Sequence, residues 1–133
     1  MKKILIVDSN SYERKERAQI SIECRSMGTL GHLKAENPAD AIVQLQIEDG
    51  IVGVISALNF PGTAGLADDV VQLNRECQTL DIPFWVCISR ADDKPSLSQL
   101  EMLTKNGIEY DISEGDNRKN WAKLVGAVID STR

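Results

Sequence analysis

The chain has 133 residues and a formal net charge of −5, with 42% hydrophobic and 26% charged residues. This length suits one domain with a real core, and the composition is that of a globular protein rather than a disordered chain. The negative charge argues against a general partner among nucleic acids or anionic membranes, because both carry negative charge themselves. We therefore expect one domain over residues 1–133 that binds neither.

Export and thiol or metal chemistry are poorly supported. The longest apolar runs are too short to cross a bilayer, and the strand-like run that follows Met1 contains no small-residue cleavage site. The three cysteines and the single histidine show no metal-ligand or disulfide spacing. We expect a cytoplasmic protein with buried, reduced thiols.

Apolar runs of strand length alternate five times with amphipathic segments of helix length. This alternation predicts an α/β domain, doubly wound, with a five-stranded parallel sheet covered on both faces. The predicted strands are Lys3–Val7, Leu30–Ala35, Ile51–Ala57, Ile82–Ile88 and Ile108–Ile112. The predicted helices begin at Asn10 or Ser11, at Asn37-Pro38, at Leu66, at Ser96, and at Asp116 or Asn117.

Capping signals delimit two of the helices most clearly. Asn37 followed by Pro38 is typical of a helix start, whereas Asn106-Gly107 is typical of a helix end. Helical spacing directs one apolar side of each helix toward the core. The predicted core residues are Ala41, Ile42, Leu45 and Ile47 in the second helix, Leu97, Leu100 and Leu103 in the fourth helix, and Trp85 and Cys87 in the fourth strand.

In an open parallel sheet the ligand crevice lies at the carboxyl ends of the strands. The candidate site residues are therefore those that follow each strand. They are Asp8 and Ser9, Ser56 and Ala57, Ile88 to Arg90, and Ser113 and Glu114.

Several segments in this order and spacing resemble a known family. They are Lys3 to Asp8, Ala35 to Ile42, Leu58 to Gly62, Ile82-Pro83 and Asn106 to Ile108. Together they resemble bacterial response-regulator receiver domains of the chemotaxis-regulator type, from near the first residue to about residue 130. The resemblance implies the flavodoxin-like strand order 2-1-3-4-5. It also implies a phosphorelay chemistry in which a histidine kinase phosphorylates an aspartate beside a bound Mg²⁺.

The residues at the implied phosphorylation site depart from that pattern. Receivers end their first strand with two acids, and here the pair is Asp8-Ser9. The phospho-accepting position, four residues before Pro61, is Ala57, whose methyl group cannot be a nucleophile. The neighbouring Ser56 should point elsewhere, because successive strand side chains face opposite sides of a sheet.

The remaining site positions also differ. The hydroxyl position after the fourth strand is Ile88 or Ser89, and the lysine position after the fifth strand is Ser113 or Glu114. A carboxylate there would repel a phosphate. Asp8 alone should hold Mg²⁺ at most weakly, so we expect no tightly bound cofactor or metal. Tyr110 matches the aromatic residue that family members swing inward, and we expect it to keep one rotamer.

The main hypothesis is an atypical receiver domain, not an enzyme, that binds a protein partner or itself in two-component signalling without being phosphorylated. The resemblance implies a partner face on the fourth helix, fifth strand and fifth helix, which are residues 97–105, 108–112 and 117–128. Two alternatives stay open. One is a receiver phosphorylated on a hydroxyl such as Ser56, and the other is a small-molecule sensor that uses the crevice near Asp8, Asn59 and Arg90.

Overall fold

The computed structural model describes residues 2–8, 31–60, 68–89, 95–113, 126–127 and 130, and the statements below concern these residues. The strands are β1 Lys3–Val7, β2 Gly31–Ala35, β3 Ile51–Ser56, β4 Phe84–Ser89 and β5 Glu109–Ser113. The helices are α1 Pro38–Ile47, α2 Asp68–Thr79 and α3 Leu97–Lys105. These helices correspond to the second, third and fourth predicted ones. The first predicted helix and most of the last lie outside the described residues.

The five strands form one sheet in the order β2-β1-β3-β4-β5, and every neighbouring pair is parallel. This confirms the predicted flavodoxin-like α/β architecture and its strand order. The order places β1 beside β3, so the residues that follow these two strands lie next to each other at one edge of the sheet.

The core lies where the three helices pack on one face of the sheet. That face carries Leu5, Val7, Val54, Val86 and Ile88, all buried. The helices contribute Ala41, Leu45, Val70, Leu73, Cys77 and Leu103 to the same cluster. Residues on the opposite face, Ile4, Ile6, Ile55 and Cys87, are also inaccessible to solvent. The sheet is therefore buried on both faces, which explains why its central strands are continuous apolar runs.

Local signals set the helix boundaries as predicted. The Asn37 side chain accepts a hydrogen bond from the Asp40 N–H at 2.8 Å, and Pro38 occupies the first helical position of α1. At the other end of the domain, Gly107 follows α3 with a φ of 68°, a left-handed conformation that glycine adopts without steric cost.

Three predicted core residues are corrected by the structure. Ile47 at the end of α1 is 72% exposed, and Leu97 at the start of α3 is 78% exposed. Trp85 is only partly buried, and its indole N–H donates to Glu109 Oε2 at 2.7 Å on the neighbouring strand. Helical spacing predicted that Ile47 and Leu97 face inward, but both lie at helix ends. Trp85 lies on β4, which has only the edge strand β5 beyond it.

The two cysteines in the described part of the chain are free and buried, as expected. Burial and, to a smaller extent, the nearby Glu76 carboxylate raise the pKa of the Cys77 thiol to about 12. Cys77 therefore packs as a small apolar side chain and is inert as a nucleophile at neutral pH. Cys24 lies outside the described residues. No helix in the described part is long and apolar enough to cross a membrane.

Two glycine substitutions should change stability in opposite directions. Gly107→Ala should lower the free energy of unfolding by about 1 kcal/mol, because a Cβ is strained at this positive φ even though no atom lies within 4 Å of it. Gly126→Ala should raise the free energy by about 0.5–1 kcal/mol, because Gly126 is helical and its Cβ position is open. Urea unfolding of both variants measures the two changes. A change of the same sign in both variants would contradict the backbone conformations assigned to Gly107 and Gly126.

Candidate functional site

The crevice at the strand ends is built by the register of β1, β2 and β3. Val7 pairs with Ser56, and the Ala57 N–H donates to the Val7 carbonyl at 2.8 Å. The Asp8 N–H donates to the Ala35 carbonyl of β2 at 3.0 Å. Asp8 and Ala57 therefore continue adjacent strands side by side. Both are buried, with 5% and 7% of their surface exposed.

Ala57 and Ser56 offer no accessible nucleophile. The methyl group of Ala57 belongs to the apolar cluster beneath the crevice. The Ser56 side chain is fully buried, and its hydroxyl donates to the Ala57 carbonyl at 2.7 Å. A phosphodonor cannot approach a hydroxyl from which solvent is excluded, so this hydroxyl serves the backbone of the strand end.

The ends of β4 and β5 bring together the other predicted positions. Ile88 is fully buried in the core, while Ser89 pairs with Ser113 at the last step of the β4–β5 ladder. Tyr110 is half-buried and packs against the core cluster. Ser89 and Ser113 are the last residues of β4 and β5. Ser9, Arg90 and Glu114, the other predicted site residues, lie outside the described residues.

A residue that sequence reasoning missed, Gln99, connects the crevice to α3. Its side-chain Nε2 donates to Asn59 Oδ1 at 2.7 Å, two residues after Ala57. Its Oε1 accepts from the Ser96 N–H at 3.0 Å, and its own N–H donates to the Ser96 hydroxyl at 3.2 Å. Gln99 is buried, so both ends of its amide are hydrogen-bonded away from water.

The Gln99 amide therefore ties the start of α3 to the loop that follows β3. The contact between Ser96 and Gln99 can be inferred from the sequence, because the two residues have the spacing of a capping box. The contact between Gln99 and Asn59 cannot, because Asn59 is 40 residues away in sequence. The bridge holds the two segments in one relative position without any bound ligand.

No metal-ligand cluster marks the crevice among the described residues. No group of three or more histidine, cysteine or acidic side chains that could hold a metal occurs among the described residues. A groove of about 570 Å³ lies instead between α2 and the C-terminal half of α3, with Val71 and Met102 among its lining residues. Asp8 and Asn59 do not line it.

Several solved structures similar to this chain are receiver domains. The chemotaxis protein CheY4 of Vibrio cholerae aligns with a TM-score of 0.64 and 19% identity, over 96% of this chain and 98% of its own. A receiver protein of Sinorhizobium medicae aligns with a TM-score of 0.66 and 18% identity, over 99% and 97%. A receiver domain of Clostridium thermocellum aligns with a TM-score of 0.63 and 17% identity, over 99% and 97%.

No protein-family model matches the sequence, and neither does any curated protein. The structural matches extend over almost the whole of both chains. The described structure therefore has the fold of a response-regulator receiver domain.

The Gln99 bridge can be tested by two substitutions. Gln99→Ala should lower the free energy of unfolding by about 2 kcal/mol, because it leaves the Ser96 N–H and Asn59 Oδ1 without their partner. Gln99→Glu keeps the oxygen that caps Ser96 but replaces the donor to Asn59, so about half of the loss should remain.

Urea unfolding measures both losses, and Gln46→Ala on the exposed side of α1 is the matched control with an expected change within about 0.5 kcal/mol. A Gln99→Glu variant as stable as the unsubstituted protein would contradict the bridge to Asn59.

Proposed function

We propose that this chain is an atypical receiver domain that acts as a protein-interaction module in two-component signalling and does not depend on phosphorylation. The observation that carries the proposal is Ala57 at the end of β3. Its backbone is fixed beside Asp8 by the hydrogen bond to Val7, and its side chain is a buried methyl group. Phosphoryl transfer to this position requires a carboxylate, which alanine lacks.

The environment of Ser56 supports the same proposal over phosphorylation of a hydroxyl. The hydroxyl is inaccessible to solvent and is hydrogen-bonded to the Ala57 carbonyl. An attack on phosphorus would require this bond to break and the strand end to open. The buried hydroxyl therefore favours a structural role for Ser56.

The charge around the crevice supports a domain that works without Mg²⁺. Mg²⁺ is held in proteins by one or two carboxylates together with phosphate oxygens. Within the described residues Asp8 is the acid that directly follows a strand of the crevice, and Ala57 stands where a second carboxylate would share the ion. Asp8 therefore has no like charge beside it at Ala57 that a cation would need to relieve.

The exposed start of α3 supports a role in binding. Leu97, on the predicted partner face, is 78% exposed although it begins a helix whose Leu103 is fully buried. The Gln99 bridge fixes the helix start that presents Leu97. An apolar side chain on a preorganised helix is a suitable contact for a protein partner, because binding does not have to order it.

Treatment with a small phosphodonor should leave both the mass and the binding of the domain unchanged. After incubation with acetyl phosphate and Mg²⁺, intact mass spectrometry should show no phosphate adduct, since no accessible carboxylate occupies position 57. The set of proteins retained on the immobilised domain should be the same before and after this treatment. A stoichiometric adduct, or a partner retained only after treatment, would overturn the proposal.

An acidic side chain at position 57 should create a response to Mg²⁺ that we expect the unsubstituted protein to lack. Ala57→Asp should lower the free energy of unfolding by about 1–3 kcal/mol, because the new carboxylate is buried next to Asp8. Millimolar Mg²⁺ should recover part of that loss and raise the melting temperature of this variant.

The control is Ala57→Asn, which has nearly the same shape but no charge, and which should melt at the same temperature with and without Mg²⁺. The unsubstituted protein should behave like this control. If the melting temperature of the unsubstituted protein rose by several degrees in Mg²⁺, a cation site would persist around Asp8.

A further inference from the structure

Helix α1 is apolar on two opposite sides. One side, with Ala41 and Leu45, is buried against the sheet. The other side carries what we call the α1 stripe, which consists of Ala39, Val43 and Ile47. These three residues are four positions apart, so they share one side of the helix, and all three are exposed.

The exposure of the α1 stripe is unusual for a surface helix. Val43 is 51% exposed and Ile47 is 72% exposed, whereas a helix that packs on one side normally presents polar residues on the other. Exposed apolar side chains that lie together on one side of a helix are a candidate interaction surface.

The charged residues of the segment that contains the α1 stripe are all acidic. Residues 36–50 contain four acidic side chains and no lysine, arginine or histidine. Glu48 is paired with Lys3 at 3.2 Å, but Glu36, Asp40 and Asp49 are exposed and form no ion pair within the described residues. An apolar stripe in a negative field is complementary to an apolar stripe flanked by positive charge.

We propose that the α1 stripe docks a partner protein through an amphipathic helix whose apolar side is flanked by lysine and arginine. The helix would lay its apolar side on Val43 and Ile47, and its cations would lie near Glu36, Asp40 and Asp49. This surface is separate from the partner face proposed on α3 and β5. The inference does not rest on the loss of phosphorylation, because neither Ala57 nor Asp8 belongs to the stripe.

The same charges disfavour two other occupants. A second copy that docks through its own α1 stripe would bring like charges together, which costs free energy at an interface. An anionic bilayer would be repelled by Glu36 and Asp40 for the same reason. A basic amphipathic helix is the partner that satisfies both the apolar surface and the charge.

A pair of synthetic peptides tests the proposal on the intact chain. Both are helix-forming peptides of about 20 residues with leucines on one side, and the other side carries lysines in one peptide and glutamates in the second. The lysine peptide should bind, the glutamate peptide should bind at least about tenfold more weakly, and rising salt should weaken the first. Amide chemical-shift changes in NMR spectra should centre on residues 36–50.

Matched variants show whether the α1 stripe itself is responsible. Val43→Lys with Ile47→Lys should weaken binding of the lysine peptide by about tenfold or more, because it removes both apolar contacts and adds like charge. Gln72→Lys with Gln78→Lys adds the same charge at exposed positions of α2 and should change binding by less than about threefold. Glu36→Gln with Asp40→Asn leaves the apolar residues intact and should reduce the salt dependence.

Several outcomes would overturn the proposal. They are no binding of the lysine peptide, equal binding of the two peptides, shift changes centred on α2 or α3, and equal weakening by both lysine pairs. If the unsubstituted protein self-associates and the Val43→Lys and Ile47→Lys pair abolishes this association, the stripe binds a second copy of the chain instead. A thermal melt of each variant verifies folding, and because Val43 and Ile47 are exposed their replacement should leave the melt nearly unchanged.

Discussion

The register between β1 and β3 is the constraint on which the crevice depends. The hydrogen bond from the Ala57 N–H to the Val7 carbonyl places residue 57 beside residue 8, whatever side chains they carry. A slip of one residue would exchange the two faces of β3 and bury different side chains. Because Ile6, Ile55 and Val54 are fully buried, such a slip would also force the close-packed core on both faces to repack. The fold therefore fixes residue 57 beside residue 8, and the side chain at position 57 is a buried methyl group.

The same fixed strand ends explain the importance of Gln99. In this chain a buried amide joins Asn59 to the start of α3, with both of its polar ends hydrogen-bonded. A satisfied buried network specifies one arrangement, because any alternative leaves polar groups unpaired. The arrangement of α3 proposed for binding is thus the resting arrangement of the domain.

The exposed apolar residues have a shared origin in the geometry of the helix layer. Ile47 and Leu97 lie at helix ends, where the sheet no longer covers the helix, and Val43 lies on the side of α1 opposite the core. A helix in this layer has only one side to bury, so apolar residues elsewhere on it are available to a partner. Leu97 and the α1 stripe lie on different helices, which allows two contacts by one small domain.

Much of this protein was determined by its sequence alone. The alternation of apolar runs, the caps at Asn37 and Ser96 and the end at Gly107 predicted the elements, because these depend on local periodicity and backbone preference. The strand order was implied by the resemblance to receiver domains. The alanine at position 57 was likewise known from the sequence alone. Only the tertiary structure decided that Ile47 and Leu97 face solvent and that Gln99 reaches Asn59. Helical spacing specifies the side of a helix but not how far the sheet extends beneath it, and a contact across 40 residues leaves no local pattern.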